Sequence, residues 1–75
     1  MSDGKVQSVI DLIAAELEIP ATKLNASSSV DTVPEWDSMA HLNICLAFQE
    51  RFGVTLDLES IAAATSVAGL VALLK

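Results

Sequence analysis

The feature that most restricts the fold of this chain is the placement of its apolar residues. In three stretches they recur every three or four positions, the spacing that sets side chains on one face of an α-helix. Val6, Val9, Ile10, Ile13, Ala14 and Leu17 form one stripe. Leu42, Cys45, Leu46, Gln49 and Phe52 follow a second row, flanked by Met39, Ile44 and Phe48. Val67, Leu70, Val71 and Leu74 form the last. The spacing predicts a first helix from about Asp3 to Leu17, capped by Ser2 or Asp3. Pro20 closes it, because proline disfavours helix in the residue before it. A second helix is predicted from Asp37 or Ser38 to Phe52, both being good capping residues, and Gly53 stops it in the left-handed conformation. A short helical turn follows from about Asp57 to Ala63 with Asp57 as its cap. A last helix starts after Ser66, with Thr65 or Ser66 as its cap. Val54-Thr55-Leu56 alternates as a strand would, but no second segment can pair with it, so it is read as a linker. The expected fold is all-α: one domain over residues 1–75, a small bundle of three principal helices plus one short helix.

The first connection of that bundle is long. From Glu18 to Trp36 the chain is polar, with a Ser27-Ser28-Ser29 run and Pro34. Leu24, Val30, Val33 and Trp36 are spaced as anchors that pin this segment to a core. Loops of this length in a small domain are uncommon and are often functional.

Charge narrows the possible partners. Ten Asp and Glu residues stand against four Lys and Arg, a net charge of −6. Phosphate binding needs clustered cations, which argues against nucleic acid as a partner and equally against an anionic membrane surface, so neither is expected. A basic protein is the natural complement. The positive mean hydropathy, +0.52, argues for a folded chain. No stretch approaches the ~18 apolar residues of a membrane span, so no membrane insertion is expected. Met1-Ser2-Asp3-Gly4 lacks the basic and apolar regions of a signal peptide. A cytoplasmic, reduced protein is the expectation. At 75 residues the chain is short for an enzyme that must enclose a substrate, which favours a binding or carrier role.

Few residues offer chemistry. The single cysteine, Cys45, rules out an internal disulfide, and the single histidine, His41, rules out metal sites that need two. No metal site is expected. Ser38 and His41 lie three apart and form a Ser-His pair on paper, but no orienting group, oxyanion site or pocket accompanies them. The chain is therefore expected not to be an enzyme. His41 is expected in solvent on the first turn of its helix, and Cys45 in the core. Ser38 remains, at the junction of the long loop and the second helix. Its position predicts an exposed hydroxyl, reachable by a modifying enzyme. A phosphodiester there would meet the positive end of the helix dipole and free backbone N–H groups. On local chemistry alone a simple capping role is the better account of a serine at this place.

The segment around Ser38 resembles the acyl carrier protein family, which includes aminoacyl and peptidyl carrier domains. Asp37-Ser38-Met39 is similar to that family's Asp-Ser-Leu signature, with Met39 replacing the common Leu. Trp36 to Leu42, followed by Phe48-Gln49-Glu50-Arg51-Phe52-Gly53-Val54, resembles its second helix and exit. Thr65-Ser66-Val67 resembles the entry to its last helix. The resemblance implies that a phosphopantetheinyl transferase moves 4′-phosphopantetheine from coenzyme A onto Ser38, with Mg²⁺ held by the transferase. An acyl or aminoacyl ligase would then load the arm, and a downstream synthase or transferase would take the cargo. It implies a monomer, since a shuttle shows one face to successive enzymes. It also implies a core, lined by Leu42, Leu46, Ile61 and Val67, that parts to shelter an apolar cargo.

The chain departs from many fatty-acid carriers in its charge. Residues 35–59 hold five acids, Glu35, Asp37, Glu50, Asp57 and Glu59, against Arg51, a net charge of −4. These lie near the helix ends, while Ala40, Asn43 and Ala47 are expected on the outer face of the middle. Docking is therefore expected to use Met39 and Ala40, with Asp37 touching the transferase. Glu50 and Glu59 fit either a docking role or plain helix-dipole and solubility roles. An acyl carrier of a specialised lipid or polyketide pathway is the leading expectation. An aminoacyl or peptidyl carrier loaded by an adenylating ligase is the second, and an unmodified helical interaction module the third.

Overall fold

The computed structural model describes the backbone of residues 2–74 and the side chains of residues 4–74, so the cap expected at Ser2 or Asp3 lies outside the described side chains. Among the described residues four α-helices follow in order: α1 (Ser2–Leu17), α2 (Ser38–Phe52), α3 (Leu58–Ala63) and α4 (Val67–Ala72). A single 3₁₀ turn spans Ala21–Lys23. The expected all-helical bundle is present, with its long loop between the first two helices. Its last helix is short, six residues like α3, so two long helices carry the architecture. No described helix is long and apolar enough to cross a membrane.

Helix α1 packs against both α2 and α4. It buries Val9, Ile10, Leu12, Ile13 and Ala14. It ends as its sequence requires, just ahead of Pro20. The Ile19 N–H reaches back to the Ala14 carbonyl at 3.0 Å. That bond needs the intervening residue to be left-handed, and Glu18 holds φ 58°. A side chain bearing a Cβ is strained in this conformation. Gly53 makes the corresponding turn after α2 at φ 65°, where a glycine is at ease, and its N–H bonds the Gln49 carbonyl.

The long loop is built from local turns and then tied across the molecule. Ser28 is buried, and its hydroxyl accepts the Asn25 N–H at 2.9 Å. The Val30 N–H donates to the Thr65 carbonyl, and the Val67 N–H to the Ser28 carbonyl, each at 3.0 Å. These two bonds flank an isolated antiparallel bridge between Ser29 and Ser66. The serine run is thus pinned to the entry of α4. Leu24, Val33 and Trp36 are buried, and Val30 is half-buried, so the four expected anchors do seat the loop.

Side-chain caps start the later helices. The Asp57 carboxylate accepts the Ser60 N–H at 2.8 Å, and the Ser66 hydroxyl accepts the Gly69 N–H at 2.9 Å. The bonds from Ser60 hold the Asp57 carboxyl below its usual range. The cap's contribution is therefore present above the ordinary carboxylate pKa and lost as pH falls through the lowered one. Gln49 fixes the linker that precedes α3: its Oε1 accepts the Leu56 N–H at 2.9 Å.

The face of α2 that enters the core differs from the expected row. His41, Ile44, Cys45 and Phe48 are buried, whereas Leu42 and Leu46 are 48% and 54% exposed. The helix is rotated by about one residue from the expectation. His41 is not in solvent; it is 7% exposed. Trp36 Nε1–H donates to its Nδ1 at 3.0 Å. Indole nitrogen can only donate, so Nδ1 is the acceptor and the proton sits on Nε2. Nε2–H in turn donates to the Ile61 carbonyl at 2.7 Å. Cys45 Sγ lies 3.6 Å from the same nitrogen, and burial pushes its thiol pKa up, which leaves it unreactive.

Two stability measurements follow. Glu18→Gly relieves the left-handed strain and is expected to raise the unfolding free energy by about 1 kcal/mol in urea titration. Trp36→Phe keeps most of the buried ring but leaves His41 Nδ1 without its donor. It is expected to lower stability by about 1–3 kcal/mol.

Candidate functional site

The site is assembled where the long loop meets α2. Val33 and Trp36 are buried on either side of the exposed pair Pro34 and Glu35. The Trp36 N–H closes this turn on the Val33 carbonyl at 3.0 Å. Burial of the indole therefore fixes the chain two residues before Ser38, and burial of His41 fixes it three residues after.

Between these anchors the structure separates two roles that the sequence left open. Asp37 is extended, φ −97° and ψ −173°, and is the cap of α2. Its Oδ1 accepts the Ala40 N–H at 2.9 Å. Ser38 is the first helical residue and is exposed. Its hydroxyl makes no hydrogen bond among the described residues, so capping does not account for it. The first bond of the helix joins the His41 N–H to the Asp37 carbonyl at 2.8 Å. The amides of Ser38 and Met39 thus precede the helical ladder and stand free to meet an anion.

A shallow cleft of about 290 Å³ lies beside the hydroxyl, lined by Val30, Trp36, Asp37, Ser38, His41 and Thr65. It gives a group attached at Ser38 an apolar floor and a polar lip. The surroundings therefore suit a phosphodiester at the oxygen and an extended chain beyond it. They do not suit a hydrolytic dyad: both nitrogens of His41 are engaged elsewhere, with Trp36 and Ile61. A base for the Ser38 proton must come from a partner.

The residues expected to dock partners fall into two groups. Met39 is 72% exposed, and Asp37, Glu50 and Glu59 are also exposed. Ala40 is half-buried, and so is Ala47, which packs on the core instead of facing outward. The outer face of α2 instead carries Met39, Leu42, Asn43, Leu46 and Glu50, all exposed and all on one helical row. Leu42 and Leu46 are the residues that the expectation had placed in a core able to part around cargo. Their exposure overturns that lining. The signal for it was present: rows through 41, 44, 45 and 48 and through 42, 45, 46 and 49 have the same helical spacing.

A comparison with curated proteins returns no match. A family model described as a phosphopantetheine attachment site matches residues 7–74, spanning all four helices but for the first five residues of α1. With an exposed serine at a helix start, free amides beside it and a cleft to receive an arm, the chain belongs to the phosphopantetheine-attachment family, the carrier domains that hold 4′-phosphopantetheine covalently.

Proposed function

We propose that Ser38 is the attachment residue and that the chain is an acyl carrier serving a specialised lipid or polyketide pathway. The observation that carries the assignment is the division of labour at the start of α2. Asp37 takes the cap, and Ser38 keeps an exposed, unbonded hydroxyl. In the transferase complex, Ser38 Oγ attacks the pyrophosphate phosphorus that bears the pantetheine arm of coenzyme A. An O–P bond forms, the bridging P–O bond breaks, and adenosine 3′,5′-bisphosphate leaves. The hydroxyl proton passes to a base of the transferase. The amides of Ser38 and Met39 then face the phosphodiester. The bound arm supplies a terminal thiol, on which an acyl group is held as a reactive thioester. The protein's own contribution is to hold the attachment point still and present it, since a tether raises the cargo's effective concentration at a docked enzyme.

Docking is assigned to the outer row of α2, with Met39, Leu42 and Leu46 as apolar contacts. Ala40 lies half-buried beside them. Asp37 is placed against the transferase, and Glu50 and Glu59 at the rim. The row is apolar through its middle and acidic at its ends, which fits a partner with an apolar groove and basic edges. A reduced, cytoplasmic setting and a monomeric state accord with the buried Cys45 and with a shuttle's need to expose one face. The second reading is an aminoacyl carrier loaded by an adenylating ligase, favoured by the near-neutral middle of α2.

Co-expression with a broad-specificity phosphopantetheinyl transferase is expected to add one phosphopantetheinyl increment to the intact mass. Ser38→Ala is expected to remove it entirely while leaving the far-ultraviolet dichroism unchanged. Persistence of the increment in that variant would move the attachment elsewhere, and no increment with any transferase would leave an unmodified interaction module. Leu46→Glu is an exposed change, expected to alter stability by no more than about 0.5 kcal/mol. It is expected to raise the transferase KM about tenfold with little change in kcat, the equivalent of about 1.4 kcal/mol of docking energy.

A further inference from the structure

We propose that His41 is a latch holding α3 shut against α2, and that it restricts the cargo of this carrier to short or polar acyl groups, aminoacyl groups included, which stay outside the core. The proposal rests on the Ser38 attachment reading and names the cargo class for it. The imidazole spends both nitrogens on binding three segments together. It takes the Trp36 indole N–H at 3.0 Å and gives its own N–H to the Ile61 carbonyl at 2.7 Å. The loop before Ser38, the helix that begins at Ser38, and α3 are thereby joined at one buried ring.

A chain passing from Ser38 into the core between α2 and α3 would have to part these elements. Doing so breaks the bond to Ile61, leaving the His41 Nε2–H only the weak acceptor Cys45 Sγ, 3.6 Å away, and the part-buried Ile61 carbonyl without that donor. The core beyond the latch is closed to solvent. Trp36, Ile44, Phe48, Val67 and Leu70 are each at most 1% exposed. The cleft beside Ser38 has an apolar floor of Val30 and Trp36, but it is shallow and open, so a chain lying along it keeps one side in water. An aminoacyl or short hydroxyacyl group loses nothing by remaining in water. A long alkyl chain outruns that shallow cleft and would remain largely in water, so a pathway that carries such chains would gain little shelter here.

The test loads Ser38 with butyryl-, octanoyl- or dodecanoyl-phosphopantetheine, using a broad-specificity transferase and the matching acyl-coenzyme A. Thioester cleavage by hydroxylamine is followed by intact mass, and the Trp36 indole and Ile44 and Leu70 amides by NMR. In the native sequence the three thioesters are expected to be cleaved at rates within about twofold of one another, with the indole resonance unmoved. In His41→Ala the dodecanoyl thioester is expected to be cleaved at least about fivefold more slowly than the butyryl one, as the opened core takes up the chain. Where that variant does not fold, His41→Phe keeps a ring at this position, removes the bonds to both Trp36 and Ile61, and is expected to show the same trend. Protection of the dodecanoyl thioester in the native protein, with a shifted indole resonance, would overturn the exclusion. Equal cleavage in the folded variant would overturn the role of His41. Failure to gain any acyl-phosphopantetheinyl mass would instead remove the attachment reading, and the latch's function with it.

Discussion

Trp36 is the largest side chain in the core, and its indole N–H cannot go unpaired there without a cost of about 1–3 kcal/mol. That one requirement organises the molecule. The donor finds His41 Nδ1, so the first turn of α2 must present its histidine inward. With Nδ1 accepting, Nε2 must carry the proton, and it finds the Ile61 carbonyl near the end of α3. A six-residue helix such as α3 has too few turns to be stable alone. The bond from His41 and the linker bond from Gln49 help to hold it to α2. The phase of α2, the seat of α3 and the exit of the long loop therefore follow from one buried polar contact and its consequences.

The exposure of Ser38 follows from the same constraint. With Trp36 and His41 both held in the core, the intervening residues have little choice of path. Asp37 falls at the extended position whose carboxylate reaches the Ala40 amide, and Ser38 falls at the first helical position, pointing outward. A serine in the cap position would have spent its oxygen on the backbone. The acid takes that duty, and the hydroxyl is left unbonded, as the proposed attachment at Ser38 requires. A tether needs a firm anchorage for its own flexibility to be useful, because the docked partner reads position from the protein and not from the arm. Two buried rings within five residues of sequence supply that firmness.

Much of this was legible in the sequence, and the boundary between what was and was not is instructive. Caps and stops are local, so Asp57, Ser66, Gly53 and Pro20 could be assigned one at a time from their own chemistry. The first-loop anchors were legible because apolar residues in a polar segment have few other uses. The phase of α2 was not. Treating His41 as a polar surface residue shifted the apolar row by one position and sent Leu42 and Leu46 inward. A pair of observations could have corrected it: Trp36 needed a buried acceptor, and His41 was the one imidazole within reach. The left-handed Glu18 and the role of Gln49 as a splint for the next linker left no pattern at all. Both depend on where the chain goes afterwards, which periodicity does not record.

The charge distribution completes the picture of how such a carrier meets its enzymes. A net charge of −6 acts over a distance set by the Debye length, about 8 Å at physiological salt. It raises encounter rates with basic surfaces but discriminates weakly between them. The middle of α2 carries no charge to add to this; it offers Met39, Leu42 and Leu46 instead. Apolar contacts act only once two surfaces have met and their shapes agree. On the proposed docking row, acids at the rim and leucines at the centre would divide recognition into attraction, shared by many partners, and fit, confined to few. That division favours a carrier dedicated to particular enzymes over one that serves a broad set.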